Sequence, residues 1–233
     1  MDPVLADPQA LGAHVAGWMT DILQARPGPV AVALSGGSTP KLLYQLLAGP
    51  PFVGRMPWDR THWFWGDERF VPHSDARSNY RMTMEAMLRR VGAPPGNIHP
   101  IPTEYVTPEE AAARYQAMLQ AYYGGPVLDP ARPLFDIVLL GLGTNGHTAS
   151  LFPDTPVLNE RTAWAAAVTP AGEPTRITLT YPALESCRHA AFLVAGADKR
   201  DVLARVRAGD AALPAARYHP TGELHWFADQ AAG

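Results

Sequence analysis

A histidine set among glycines, Gly141-Leu142-Gly143-Thr144-Asn145-Gly146-His147, follows directly on the strongest apolar run of the chain, Phe135 to Leu140. Imidazole titrates near neutrality without special tuning, so a histidine held there suits general base work. A second apolar run, Val30 to Leu34, leads into Ser35-Gly36-Gly37-Ser38-Thr39-Pro40. Two glycines let the backbone approach a ligand, and free amides at the start of the following helix favour an anion, phosphate above all. A third stretch, Gly66-Asp67-Glu68-Arg69, is followed shortly by Ser78-Asn79-Tyr80-Arg81. Arg69 offers the planar fork that binds carboxylate or phosphate in two-point fashion. Each stretch taken alone also has a structural reading: a capped tight turn, a surface ion network, a capping histidine.

Several chemistries are missing from the pattern. No GxxxxGK[ST] loop is present, so nucleotide hydrolysis is not indicated. No GxSxG nucleophile elbow is present either. The other seven histidines, at 14, 62, 73, 99, 189, 219 and 225, show neither HxxxH spacing nor a Cys/His cluster, and no metal is expected.

The elements that must position these residues alternate. Asp7-Pro8 caps a helix through about Gln24, Val30 to Leu34 reads as a buried strand, and Ser38 opens a helix through about Ala48 whose first turn the hydroxyls cap. His62 to Trp65 is a strand, Ser78 or Asn79 caps a helix that Gly92 ends, and Thr107-Pro108-Glu109-Glu110 opens another that Gly124-Gly125 closes. Phe135 to Leu140, Ala163 to Val168, Arg176 to Tyr181 and Ala190 to Ala195 read as strands, Asp198 to Ala208 as a helix, and Leu224 to Phe227 as a short last strand. Alternation of this kind predicts an α/β fold, a Rossmann-like, largely parallel sheet with helices on both faces, in one domain spanning 1–233. Ligands bind such sheets beyond the carboxyl ends of the strands, where all three loops fall.

Composition bounds the partners. The chain has 233 residues, 19 Lys+Arg against 22 Asp+Glu, and a net charge of −3, which argues against nucleic acid or an anionic membrane as its target. Lys41 and Lys199 are its only lysines. A single cysteine, Cys187, rules out an internal disulfide, and the first residues lack the features of a secretory signal, so a cytoplasmic setting is expected.

Five stretches together, LSGGSTPKLLYQLL (34–47), WGDERFVPHSDARSNYRM (65–82), FDIVLLGLGTNGHTASLFP (135–153), RITLT (176–180) and GADKR (196–200), resemble the 6-phosphogluconolactonase family in order and over nearly the whole chain. The resemblance implies a fold related to glucosamine-6-phosphate deaminase and ribose-5-phosphate isomerase. It implies hydrolysis of 6-phosphoglucono-δ-lactone to 6-phosphogluconate in the oxidative pentose phosphate pathway, with no metal or organic cofactor and no obligate protein partner. It makes His147 the general base. Ser35, Gly36, Gly37, Ser38 and Thr39 become the sugar-phosphate loop, and Arg69, Arg176 and Lys199 surround the phosphate, with Asn79 and Arg81 as further contacts. Arg69 is also a candidate for oxyanion stabilisation. One position departs: the family commonly has Asp in GxDGH, and here it is Asn145, which keeps a hydrogen-bond acceptor and loses a charge. Asp67 and Glu68 are candidates to supply that charge.

Two other functions compete. An aldose–ketose isomerase or deaminase of the glucosamine-6-phosphate type shares the glycine loop, but its pattern carries a glutamate five residues after the histidine, where this chain has Phe152. A non-catalytic sugar-phosphate sensor would use the same loops to bind without turnover.

Overall fold

A computed structural model describes residues 2–104 and 106–233. The chain runs β1 (Val4–Leu5), α1 (Pro8–Ala25), β2 (Val30–Leu34), α2 (Ser38–Leu47), β3 (Thr61–Trp65) and β4 (Asp67–Arg69). Next, α3 (Asn79–Thr83) passes through a π-helical turn (Met84–Leu88) into α4 (Arg89–Val91), and β5 (Ile98–His99) and α5 (Pro108–Tyr123) follow. The second half holds β6 (Phe135–Gly141), β7 (Ala165–Val168), β8 (Arg176–Leu179), α6 (Tyr181–Glu185), β9 (Cys187–Val194), α7 (Arg200–Arg207) and β10 (Glu223–Asp229).

Seven strands form one sheet in the order β1-β10-β9-β6-β2-β3-β5, every neighbouring pair parallel. All five residues of β2 are buried, as are six of the seven in β6, which is why both read as unbroken apolar runs rather than alternating ones. Helices cover both faces. Trp18 of α1 packs edge-on against His225 and Phe227, whereas Tyr122 of α5 packs against Phe64 and His99. The register aligns Trp63 with Val32, Ile137, His189 and Glu223, so Phe64 and His225 point to opposite faces. Among the described residues no helix is long and apolar enough to cross a membrane.

The α/β architecture agrees with the sequence reading, and the capping box of Thr107 and Glu110 closes the start of α5 as its residue pattern indicates. Other expectations need correction. Strands β7 and β8 leave the main sheet and form a second, antiparallel one with β4, in the order β4-β8-β7. The strand expected through Tyr181 ends at Leu179, and Tyr181–Glu185 is a short helix, with Pro182 near its start. Gly66 joins the two sheets. Its N–H donates to Leu34 O in the main sheet at 2.8 Å, and its carbonyl accepts from Leu179 N in the small one at 2.8 Å. Periodicity cannot reveal this division, because β3 and β4 are one extended run bent at a single glycine.

Candidate active site

The chain moves from β2 outward to β3 and β5, then returns to place β6 on the other side of β2 before continuing to β9 and β10. The crevice between β2 and β6 is therefore the topological switch point, where loops leaving adjacent strands diverge and leave room for a ligand. A cavity of about 270 Å³ opens there. Ser35, Gly36, Gly37, Ser38, Thr39, Arg69, His147, Arg176 and Lys199 all line it, drawn from five separate stretches of chain. Pro40, Asp67, Asn79, Ala149, residues 141–143 and residues 193–195 at and just past the end of β9 line the rest of the wall.

Two buried tyrosines hold the loops at the strand ends. The Tyr44 hydroxyl accepts from Ser35 N at 3.0 Å and donates to Ser35 O at 2.7 Å. The Tyr115 hydroxyl does the same for Trp65, with both distances at 2.9 Å. Burial drives both phenols well above their ordinary pKa, so each keeps the proton it donates. Sequence reading missed both, because a tyrosine on a helix face carries no local sign of a strand-end partner.

The glycine loop departs from expectation in one respect. Gly37, at φ 107°, is itself the N-cap of α2, and no side chain caps that end. The hydroxyls of Ser38 and Thr39 belong to the first turn, so they do not cap it, and this uncapped first turn, the positive end of the helix, lines the cavity. Gly36 is needed for a different reason: a Cβ there would lie 2.1 Å from Asn79 Oδ1.

Arginines 69 and 176 are directly opposed across the antiparallel β4–β8 pair. Like charges in that position repel. Arg69 Nη1 donates to Arg77 O at 2.8 Å and Asn79 Oδ1 at 3.0 Å, and Arg176 Nη2 pairs with Glu173 Oε2 at 2.9 Å. Both Nε atoms are buried without a hydrogen-bond partner. Lys199, 22% exposed, stands against Asp198 at 3.2 Å at the cavity rim. Arg81 is elsewhere: it pairs with Glu85 at 2.8 Å and donates to Ser74 O, away from the cavity lining, so it is not a site residue. Lys41 is exposed on α2 and outside the lining as well.

The two candidate carboxylates separate cleanly. Glu68 is 1% exposed and accepts four hydrogen bonds, from Arg69 N, Asn79 N, Tyr80 N and Ser78 Oγ. It clamps the β4–α3 connection and does not reach the cavity. Burial pushes its carboxyl pKa up against the pull of those donors. Asp67 does line the cavity, accepting from Ser150 Oγ at 2.6 Å with Arg176 Nη1 at 3.9 Å.

His147 is fixed by its own loop. Gly143 N donates to His147 O at 2.8 Å, and a Cβ on Gly143 would lie 2.1 Å from His147 Nδ1. Asn145 Oδ1 lies 2.6 Å from His147 Nδ1 and 3.2 Å from the His147 backbone N. A backbone N–H can only donate, so the Asn145 atom facing both is its oxygen. Nδ1 therefore carries the ring proton and Nε2 keeps its lone pair. Burial, with Arg176 and Lys199 nearby, lowers the His147 pKa, while the charge of Asp67 opposes them. The imidazole stacks on Phe152, centroids 4.3 Å apart, and the Arg176 guanidinium lies 5.3 Å from the centre of the same ring. Phe152 thus lies against both the imidazole and the guanidinium, a placement invisible at sequence level except as an aromatic residue just past the histidine.

Known proteins and solved structures are similar to this chain over most of its length. The family profile described as glucosamine-6-phosphate isomerases/6-phosphogluconolactonase matches residues 6–226. A 6-phosphogluconolactonase of Nostoc sp. is 44% identical over 210 residues, covering 88% of this chain and 84% of that protein. One of Synechocystis sp. is 43% identical, covering 90% and 85%. The solved structure of 6-phosphogluconolactonase from Trypanosoma cruzi superposes with a TM-score of 0.85 at 29% identity, covering 98% of this chain and 94% of that one. With its switch-point cavity, its glycine loop and its histidine loop, the chain belongs to the glucosamine-6-phosphate isomerase/6-phosphogluconolactonase family.

Proposed function

We propose that residues 1–233 act as one α/β unit that hydrolyses 6-phospho-D-glucono-1,5-lactone to 6-phospho-D-gluconate. The observation that carries this reading is that one cavity is lined by a histidine with a free Nε2 and by two opposed arginines whose Nε atoms lack partners. A phosphate set against Arg69 and Arg176 relieves their mutual repulsion, and the amides at the start of α2 add donors for it. Lys199 supplies a further cation at the rim.

His147 Nε2 takes a proton from water as the oxygen attacks the lactone carbonyl. The carbonyl pair moves onto oxygen as a tetrahedral oxyanion, which glycine-loop amides or an arginine stabilise. Collapse of that oxyanion breaks the bond to the ring oxygen, and the imidazolium returns its proton to that leaving oxygen. Asn145 holds the imidazole by its Nδ1 proton throughout. Asp67 provides the negative charge that Asn145 lacks, acting through space on the imidazolium rather than by contact. These steps call on no metal or organic cofactor, no nucleic acid and no protein partner, and the single buried Cys187 agrees with a cytoplasmic setting.

The isomerase or deaminase reading needs a carboxylate where Phe152 packs flat on His147, and the ring leaves no acid/base group there. Turnover separates hydrolysis from a sensor. Freshly generated lactone, followed through NADP reduction by the next dehydrogenase and corrected for spontaneous hydrolysis, is expected to be consumed by the wild type. The His147→Ala variant should lose about 10²–10⁴ in kcat while still binding 6-phosphogluconate. An unchanged kcat in that variant removes His147 from the mechanism, and binding without turnover in the wild type favours the sensor.

A further inference from the structure

At the opposite end of the sheet, β9 and β10 bring together residues that the sequence keeps apart. Glu223 is the direct register partner of His189, and His225 lies two residues further along β10 on the same face. The ligand-capable atoms of the three all fall within 4.8 Å of one another. Glu223 Oε2 is 3.4 Å from His189 Nδ1 and 3.4 Å from His225 Nε2. A hydrogen-bonded ion pair would close those gaps to about 2.7–2.9 Å. Neither happens, and both nitrogens are buried without a hydrogen-bond partner. Tetrahedral coordination with bonds of about 2.0–2.1 Å places neighbouring ligand atoms about 3.3–3.4 Å apart. The two separations at Glu223 match that spacing for an ion, and the ligand-capable atoms of all three residues stay within 4.8 Å of one another.

The surroundings prepare these atoms as ligands. Asp2 Oδ1 lies 3.1 Å from His225 Nδ1, which assigns the ring proton to Nδ1 and leaves the lone pair on Nε2. A carboxylate behind a ligating histidine is the usual outer support of such sites. Asp2 is itself held by Trp226 N at 2.7 Å. Trp18 packs edge-on against both imidazoles, with centroids at 6.1 Å and 5.2 Å, and shields one side. Glu223, 70% exposed, leaves the other side open for water to complete the coordination.

We propose that His189, Glu223 and His225 form a binding site for a divalent transition-metal ion of the zinc type, supported by Asp2. Two imidazoles and one carboxylate suit a borderline ion better than magnesium or calcium, which take oxygen ligands. The site lies at the amino ends of β9 and β10, about 16 Å by strand rise from the cavity end of β9 at Val194. Its role is to tie β9 to β10 and to the chain before β1, so it is independent of the hydrolytic reading.

The test uses the untagged full-length chain, stripped with chelator and titrated with zinc chloride by calorimetry, with cobalt(II) absorption as a second measure of geometry. One ion per chain with micromolar or tighter affinity is expected, with cobalt bands of tetrahedral intensity. Glu223→Gln, at an exposed position that folding tolerates, should weaken zinc at least tenfold, and Asp2→Asn about tenfold. Lactonase activity of the stripped protein should be the same in Glu223→Gln as in wild type. His147→Ala should bind the ion normally. Unchanged zinc affinity in Glu223→Gln overturns the proposal, as does loss of the ion in His147→Ala or the absence of a stoichiometric site.

Discussion

The exchange of aspartate for asparagine beside the histidine changes one quantity, the charge behind the imidazole. Asn145 still accepts the Nδ1 proton, but burial and two nearby cations leave His147 below the ordinary imidazole value of about 6.5. In the proposed mechanism His147 must be neutral to act, so activity is expected to fall as pH drops through that lowered value. Asn145→Asp adds a negative charge that favours the imidazolium and raises the pKa. The acid limb of the kcat/KM profile should therefore move to higher pH, with the rate at the plateau preserved or raised. A limb that stays in place would mean that His147 does not govern it. Arg69→Ala tests the other half of the site. It should weaken phosphorylated ligands about 10–100-fold, the worth of a hydrogen bond to a charged group, and leave the unphosphorylated lactone almost unaffected. Equal effects on both would make Arg69 a structural residue.

Loops at strand ends are only as well placed as the elements that hold them. Tyr44 satisfies both backbone groups of Ser35 from within α2, and Tyr115 serves Trp65 from α5. Tyr44→Phe leaves a buried N–H and a buried carbonyl without partners, which should cost about 1–3 kcal/mol in denaturant unfolding and raise KM for the phosphorylated substrate. A loss within about 0.5 kcal/mol, the usual range of a neutral substitution, would show that the loop holds without it. Gly36→Ala attacks the same region by steric means, since the new methyl collides with Asn79, which orders Arg69. It should raise KM more than it lowers kcat, and the double variant with Asn79→Ala should recover part of the loss. Elements were legible where their signal is local. The buried strands β2 and β6 and the capped helix α5 follow from apolar runs and caps. The second sheet was not legible, because Gly66 bends one extended run into two sheets and only the partner strands reveal it.

Across the whole molecule, binding and folding are linked. A ligand that binds only the native chain stabilises it by about 2.7 kcal/mol at a hundredfold excess over Kd. For a chain of this size that corresponds to a rise of about 5–10 °C in Tm. 6-Phosphogluconate should produce such a rise, and gluconate should not. A rise with both would place the recognition on the sugar rather than the phosphate. The small net charge of −3 is consistent with this scale of recognition, since one phosphate needs only a few cations gathered at one end of the sheet.

The order of apolar runs, glycine loops and caps was enough to determine the α/β class and to mark His147, the 35–39 loop and Arg69 as candidates, because each carries its signal within a few residues, whereas Arg176 and Lys199 were indicated only by the resemblance of their stretches to the 6-phosphogluconolactonase family. Sequence could not decide which carboxylate shares the cavity with His147, since Asp67 and Glu68 are adjacent and chemically alike. The bend at Gly66 separates them, sending Asp67 into the cavity and Glu68 into a cage of four donors. Nor could sequence oppose Arg69 to Arg176 or bring His189 to Glu223 and His225. Those pairings are registers between strands far apart in the chain, and a register exists only once the sheet has formed.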